Sequence, residues 1–289
     1  MTGSELLHPP PLTIGGRQFR WGERTYVMGI VNCTPDSFAG DGLGYDVAAA
    51  VRLAIAQREE GADIIDVGGE STRPGYQPVP AEEEMRRVLP VLRALARELD
   101  VPLSIDTAKA EVARAALEAG ACLVNDVTGL QGDPRMAPLL AEYGVPAIVM
   151  HNQRGRPFSG VVADVLAGWQ QSFRLAEAAG VGREQLIVDP GFNFGWQPEQ
   201  ALELLRRLGE LRGAVGRPLL IGTSRKSVIG LVLGGLPVEE RLEGTAATVA
   251  LAVAQGADIV RVHDVRAMAR VARMADAIVR GWQPPREGT

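Results

Sequence analysis

The sequence predicts a (β/α)8 barrel, the TIM-barrel class of α/β folds, preceded by a short N-terminal hairpin or cap. Three observations predict it: eight short apolar runs, stretches of helical period between them, and a polar residue at or just beyond the end of each run. The runs are Tyr26–Asn32, Ile64–Gly68, Leu103–Asp106, Leu123–Asp126, Ala147–Met150, Leu186–Asp189, Leu219–Gly222 and Ile259–Val262. They carry Val, Ile and Leu without regular polar alternation, which marks strands buried on both faces, as in a parallel sheet. From Asn32 to Val262 the steps average about 33 residues, the length of one βα unit. No second compositional zone interrupts the series, which favours a closed barrel over an open doubly wound sheet.

The elements follow in order. Residues 1–20 read as a leader that caps the barrel, with a hairpin turning at Gly15-Gly16. The barrel spans residues 21–281, and residues 282–289 read as a tail. After the second run, Met85, Val88, Leu89, Leu92, Ala96 and Leu99 repeat at helical spacing and define one apolar face. Val112, Ala115, Ala116 and Ala119 do the same after the third run, and Met268, Val271, Ala272, Ala275 and Ile278 after the eighth. Helices are expected to stop at Gly61, Gly120, Gly144, Gly180 and Gly256, because glycine suits the left-handed position that ends a helix.

Composition excludes several classes of function. Hydrophobic residues make up 46% of the 289 and charged residues 22%, which is the balance of a globular enzyme-sized domain. A formal net charge of −5 gives no reason to expect nucleic acid or an anionic membrane as partner. No apolar run approaches the ~18 residues of a membrane span, and the first residues do not form a signal-peptide core. A cytoplasmic location is therefore expected. Cys33 and Cys122 form no spaced set with histidines, so neither a disulfide framework nor a zinc site is expected. Of 30 basic residues only Lys109 and Lys226 are lysine. A compact ammonium and a wide guanidinium fork are not interchangeable in a tight pocket, so both positions are candidates for a specific task.

In this fold the chemistry lies at the C-terminal ends of the strands. In order, those ends hold Asn32, Asp66, Asp106, Asn125-Asp126, His151, Asp189, Ser224 and Arg261, with His263 just beyond. One polar residue in such a place often only caps the next helix. Convergence from at least six strands on one rim points to a site. Two connections are long. The first, Cys33 to Tyr45, carries Asp36 and Ser37 ahead of Gly40, Gly42 and Gly44, which predict a mobile lid. The second, Gly68 to Pro80, holds Arg73, a planar cation suited to a carboxylate or phosphate, and Pro74, which stiffens it. After the seventh run, Gly222 to Gly230 brings small residues to a helix start, where backbone N–H groups favour an anion. Lys226 sits in that first turn, a poor place for a cation unless an anionic or polar ligand is there.

Nine segments, read together, closely resemble the dihydropteroate synthase family of pterin-binding enzymes. They are Asn32–Phe38, Asp66–Gly75, Ser104–Thr107, Val124–Gly129, Met150-His151, Asp189–Gly191, Ser224–Ser227, Gly244-Thr245 and Arg261–His263, in the family's order over about residues 21–280. The resemblance implies a transferase of folate biosynthesis. It would condense 6-hydroxymethyl-7,8-dihydropterin pyrophosphate with p-aminobenzoate to give 7,8-dihydropteroate and pyrophosphate, assisted by Mg2+. The resemblance also implies three subsites. Asp106, Asn125, Asp189 and Lys226 would hold the pterin edges, Met150 and Phe194 would cover its faces, and Gly222 would leave room for the ring. A carboxylate in bidentate contact suits the ring's amino group and N–H, and the resemblance gives that place to Asp189. Arg261 and His263 would meet the diphosphate, with Asn32 as a direct magnesium ligand and Asp36 joining from the mobile loop. Cations aimed there would stabilise charge developing on the leaving group. Thr72, Arg73 and Pro74 would wall the p-aminobenzoate pocket, and Ser224 would hold its carboxylate. Lys226, Arg261, His263 and Asp36 form the expected catalytic set, and Asp66 and Asp126 rank as structural neighbours. The family is generally dimeric, so a homodimer is expected, as is inhibition by sulfonamides.

Two stretches depart from the family's usual pattern. Asn152-Gln153-Arg154-Gly155 stands where Met-Gln-Gly is often found, and Trp196 follows Gly195 where Lys is common. Three other readings remain. A methyltetrahydrofolate–corrinoid methyltransferase shares the pterin contacts but has no use for Ser71–Pro74 or the Ser-Arg-Lys element. A catalytically silent paralogue would bind without turnover. A phosphosugar barrel does not account for Asp106, Asn125 and Asp189 together.

Overall fold

The computed structural model describes residues 9–34, 46–71 and 77–282. Asp36, Thr72, Arg73 and Pro74 therefore lie outside the described residues, as do the first eight residues and the tail beyond Trp282. Strands β1 (Leu12–Ile14) and β2 (Arg17–Phe19) pair antiparallel across Gly15-Gly16. Both glycines have positive φ, as a two-residue hairpin turn requires.

Eight parallel strands follow: β3 (Tyr26–Asn32), β4 (Ile64–Gly68), β5 (Leu103–Asp106), β6 (Leu123–Asp126), β7 (Ala147–Met150), β8 (Leu186–Asp189), β9 (Leu220–Ile221) and β10 (Ile259–Val262). They lie in the order β8-β7-β6-β5-β4-β3-β10-β9, and a bridge between Val188 and Leu219 joins the two outer strands and closes the barrel. The seventh barrel strand is shorter than its apolar run. Pro218 has no N–H to give, and the Leu219 N–H donates to the Asp258 carboxylate at 2.9 Å instead of to a ladder.

Helices fill the connections: α1 (Val47–Glu59), α2 (Ala81–Glu98), α3 (Ala110–Glu118), α4 (Met136–Tyr143), α5 (Val161–Ala178), α6 (Pro198–Arg206), α7 (Leu208–Val215), α8 (Ser227–Val232), α9 (Leu242–Ala254) and α10 (Val265–Arg280). Gly61, Gly120, Gly144, Gly180 and Gly256 all have positive φ just after a helix, so each stops it as predicted.

Side chains alternate across each strand and sort the core into two layers. Outward residues such as Val67, Ile105, Val124, Val188 and Val260 pack against the helices. Inward residues Tyr26, Met28, Ile64, Leu123, Ile148, Ile187, Leu220 and Ile259 pack together inside the barrel. Ile14, Phe19 and Trp21 of the hairpin region join that inner cluster. Phe19 lies 4.7 Å from the Tyr26 ring and 5.8 Å from Trp21, centroid to centroid. The hairpin thus plugs the N-terminal end of the barrel and leaves the opposite end to polar side chains.

Candidate active site

The site follows from strand periodicity. Two residues beyond each inward apolar residue, the side chain again faces inward. Ile64 is followed by Asp66, Leu123 by Asn125, Ile148 by Met150, Ile187 by Asp189, Leu220 by Gly222 and Ile259 by Arg261. Strand register then aligns the rim. Asn32 pairs with Gly68, Gly68 with Asp106, and Asp106 with Asn125, while Met150 pairs with Asp189. Asn125 and Asp189 are buried, as is Met150.

Arg261 reaches across the barrel from β10. Its Nε donates to Asp66 Oδ2 at 2.6 Å and one terminal nitrogen donates to Asp106 Oδ2 at 2.7 Å. Asp66 Oδ2 also accepts from Asn125 Nδ2 at 3.0 Å. Arg261 thus bridges the buried Asp66 and the partly buried Asp106, two carboxylates that need its charge, while its own charge also acts on His263. Burial pushes the Asp106 carboxyl above the ordinary carboxylate range, against the pull of Arg261, and the neighbouring Asp66 charge adds to the rise.

Asp189 and Lys226 build the far wall. Asp189 Oδ1 accepts the Gly191 N–H at 2.7 Å, and burial pushes its carboxyl up to about 6. The Asp189 carbonyl takes the Trp169 indole N–H at 2.9 Å and the His151 backbone N–H at 2.8 Å, which locks the strand end. Lys226, at the N-cap of α8, places Nζ 4.3 Å from the centroid of the Phe194 ring. Burial and then the Arg261 charge lower its amine to about 8. An aromatic face under an ammonium gives it a partner at a helix start that would otherwise repel it.

Ser224 and His263 form a pair. The Ser224 hydroxyl oxygen accepts the His263 backbone N–H at 3.2 Å, and lies 3.0 Å from His263 Nδ1. With that N–H received, the hydroxyl proton is free to go to Nδ1, which leaves Nε2–H as a donor. Burial, then Arg261 and Arg225, push the imidazole down to about 3, so it is neutral near pH 7. The turn below is held tightly. Arg225 has φ of +57°, donates its backbone N–H to Thr245 Oγ1 at 3.1 Å and pairs with Asp264 at 2.9 Å. Thr245 is fully buried on α9, so the Gly244-Thr245 segment acts as the support of this turn.

The other lysine has a different task. Lys109 Nζ donates to Glu70 and Glu84, the latter fully buried at the start of α2. Glu70 Oε2 also accepts the Val79 N–H at 3.1 Å, and Arg87 donates to the Gly69 carbonyl at 2.8 Å. These contacts fix both ends of the second long connection. Asp126 turns its carboxylate onto its own loop, taking N–H groups of Thr128 and Leu130, each at 2.8 Å, and so serves the backbone.

The departing stretches lie beside the slot. His151 Nε2 is 2.8 Å from Gln153 Oε1, and its ring lies 5.5 Å from that of Trp196. Arg154 sits 4.9 Å from the Phe194 centroid, so two cations approach the same ring. Asp66, read from the sequence as a structural neighbour, is fully buried and pairs with Arg261. Arg261 lies 195 positions away, and only barrel closure brings β10 beside β3, one strand from β4.

Comparison with known proteins agrees with this geometry. The profile of the pterin binding enzyme family matches residues 28–263. The chain is 48% identical over 270 residues to a dihydropteroate synthase of Clostridium beijerinckii, covering 93% of this chain and 100% of the relative. It is 44% identical over 276 residues to that of Bacillus subtilis, covering 96% and 94%. It is also similar to a solved structure of Xanthomonas albilineans dihydropteroate synthase with 4-aminobenzoic acid, with a TM-score of 0.88, 42% identity and coverage of 93% and 98%. The same enzyme in complex with 7,8-dihydropteroate gives a TM-score of 0.85 at 40% identity, again over 93% and 98%.

Proposed function

The chain belongs to the pterin-binding enzyme family, and on that premise we propose that it catalyses the dihydropteroate synthase reaction, a transfer step of folate biosynthesis. It joins 6-hydroxymethyl-7,8-dihydropterin pyrophosphate to p-aminobenzoate, releasing pyrophosphate and 7,8-dihydropteroate. The observation that carries this reading is the polar layer of Asp106, Asn125 and Asp189 on the inward face of the barrel, closed by Lys226 over Phe194.

Each group has a chemical task in the proposed reaction. Asp189 accepts from the pterin's amino group and ring N–H, and Asn125 and Asp106 meet the remaining ring nitrogens. Lys226 donates to the acceptor edge. Met150 and Phe194 cover the ring and exclude water, and Gly222, with only Arg261 atoms near its missing side chain among the described residues, leaves the ring its room. Arg261 and the Nε2–H of His263 donate to the diphosphate. The C–O bond breaks with its electron pair leaving on pyrophosphate, the amine nitrogen forms the new C–N bond, and the amine proton is released. No side chain need act as base, because C–O cleavage running ahead of attack makes the carbon electrophilic enough for a weak amine. Thr72, Arg73, Pro74 and Ser224 are assigned to p-aminobenzoate, and Asp36 to the diphosphate side.

Magnesium fits this site as an ion carried by the diphosphate. Among the described residues no group of three or more His, Cys, Asp or Glu could hold a metal alone. The Asn32 amide oxygen, at the end of β3, is a hard donor, and magnesium commonly takes one or two protein groups plus phosphate and water. Bound there, it would neutralise charge on the leaving group.

We also propose a homodimer through α9 and α10, whose outer faces expose Leu251, Met274, Ile278 and Val279. No described helix is long and apolar enough to cross a membrane. Two free cysteines suit a reducing cytoplasm. The test is pyrophosphate release by purified protein. It should require the pterin ester, p-aminobenzoate and magnesium together, and a sulfonamide should compete with p-aminobenzoate. Folded protein that releases no pyrophosphate under these conditions contradicts the proposal.

A further inference from the structure

We propose that Asp66 is a positioning residue whose single buried carboxylate oxygen orients both Arg261, on the diphosphate side, and Asn125, on the pterin side. The proposal rests on the pterin-transfer reading above. Asp66 is fully buried on β4, between Ile30 and Ser104 in strand register. Its Oδ2 accepts Arg261 Nε at 2.6 Å and Asn125 Nδ2 at 3.0 Å, while Oδ1 has no hydrogen-bond partner among the described residues.

Two consequences follow from these contacts. A carboxamide can present either its oxygen or its nitrogen to a ligand, and the two orientations differ by a flip. Because one Asn125 Nδ2 hydrogen is given to Asp66, the amide cannot flip without losing that bond, so its oxygen and its second N–H keep fixed directions for the ligand. Arg261 is constrained in the same way. Its Nε stays on Asp66, since leaving would strand a fully buried charge. Its terminal nitrogens can exchange Asp106 for a phosphate oxygen without that penalty. Asp66 is therefore the fixed pivot, and Asp106 is the partner that Arg261 can release when the pterin takes it.

A double-mutant cycle tests this. Asp66→Asn should lower kcat/KM for the pterin ester by about 100-fold, the scale of an oriented supporting contact. In an Arg261→Gln background the same change should cost several-fold less, because one of the two groups it acts through is gone and only the Asn125 contact remains. Equal losses in both backgrounds overturn the proposal. A measurement on the unaltered protein stands beside the cycle in case Asp66→Asn does not fold. The Arg261 Nε–H resonance, assigned by its loss in Arg261→Lys, should be protected from solvent exchange and remain so when the pterin ester is added. Exchange as fast as that of exposed arginines overturns it. Absence of turnover in the unaltered protein would refute the assigned reaction, while the resonance would still decide the Asp66 contact.

Discussion

Asp189 and Lys226 illustrate what burial does to single groups in this site. The Asp189 carboxyl is pushed up to about 6, despite the favourable Gly191 N–H and the Lys226 and Arg261 charges. Its folded-state value lies above the ordinary 3.8, so the folded chain holds this proton more tightly than the unfolded chain. The stabilising contribution is full below about pH 4 and is lost as pH rises through about 6. Asp189→Asn cannot ionise and keeps an oxygen for the Gly191 N–H. It should raise Tm by a few degrees at about pH 8 and leave it unchanged at about pH 4, as calorimetric scans at the two pH values would check. Lys226→Arg keeps the charge but widens the head group. Titration calorimetry with the pterin ester should show binding weakened by more than about tenfold. Unchanged affinity would mean that the pocket does not select for a narrow cation.

At the scale of elements, most of the barrel was legible because buried parallel strands leave plain apolar runs and their helices end on glycine. The exception is the seventh strand, where Pro218 has no N–H and the Asp258 carboxylate takes that of Leu219, leaving it a single bridge to Val188. Neither effect shows in an apolar run. The strand ends were legible as a set, since period two places each polar residue above an inward apolar one. The internal wiring was not, because Asp66, Asn125 and Arg261 meet only across the closed sheet. The Lys109 contact with Glu70 and Glu84 was equally hidden, although the scarcity of lysine did single that position out. The turn after β8 supplies an element-level prediction. Gly191 has φ of +70°, and a Cβ there would stand 1.9 Å from the His151 carbonyl oxygen. Gly191→Ala must move the backbone that donates to Asp189, so it should lower Tm and weaken pterin binding together. A variant with unaltered melting and affinity would contradict this reading of the turn.

For the whole molecule, the two ends of the barrel are assigned separate work. Hairpin side chains close the N-terminal end, and the polar layer occupies the other. Phe19→Ala should therefore cost about 3–5 kcal/mol in a denaturant melt, as for other buried aromatic truncations. Turnover per folded molecule should stay unchanged. A selective loss of turnover with little loss of stability would mean that the plug reaches the chemistry.

The central claim is that the inward polar layer is the pterin site. The most direct measurement is titration of the pterin ester into the unaltered protein and into Asp189→Ala, with Tm recorded for both. The account predicts one saturable site in the unaltered protein and a loss of affinity of at least about 100-fold in the variant, which remains folded, as expected when a bidentate charged contact is removed. Equal affinity in the two proteins would place the pterin elsewhere and contradict the account.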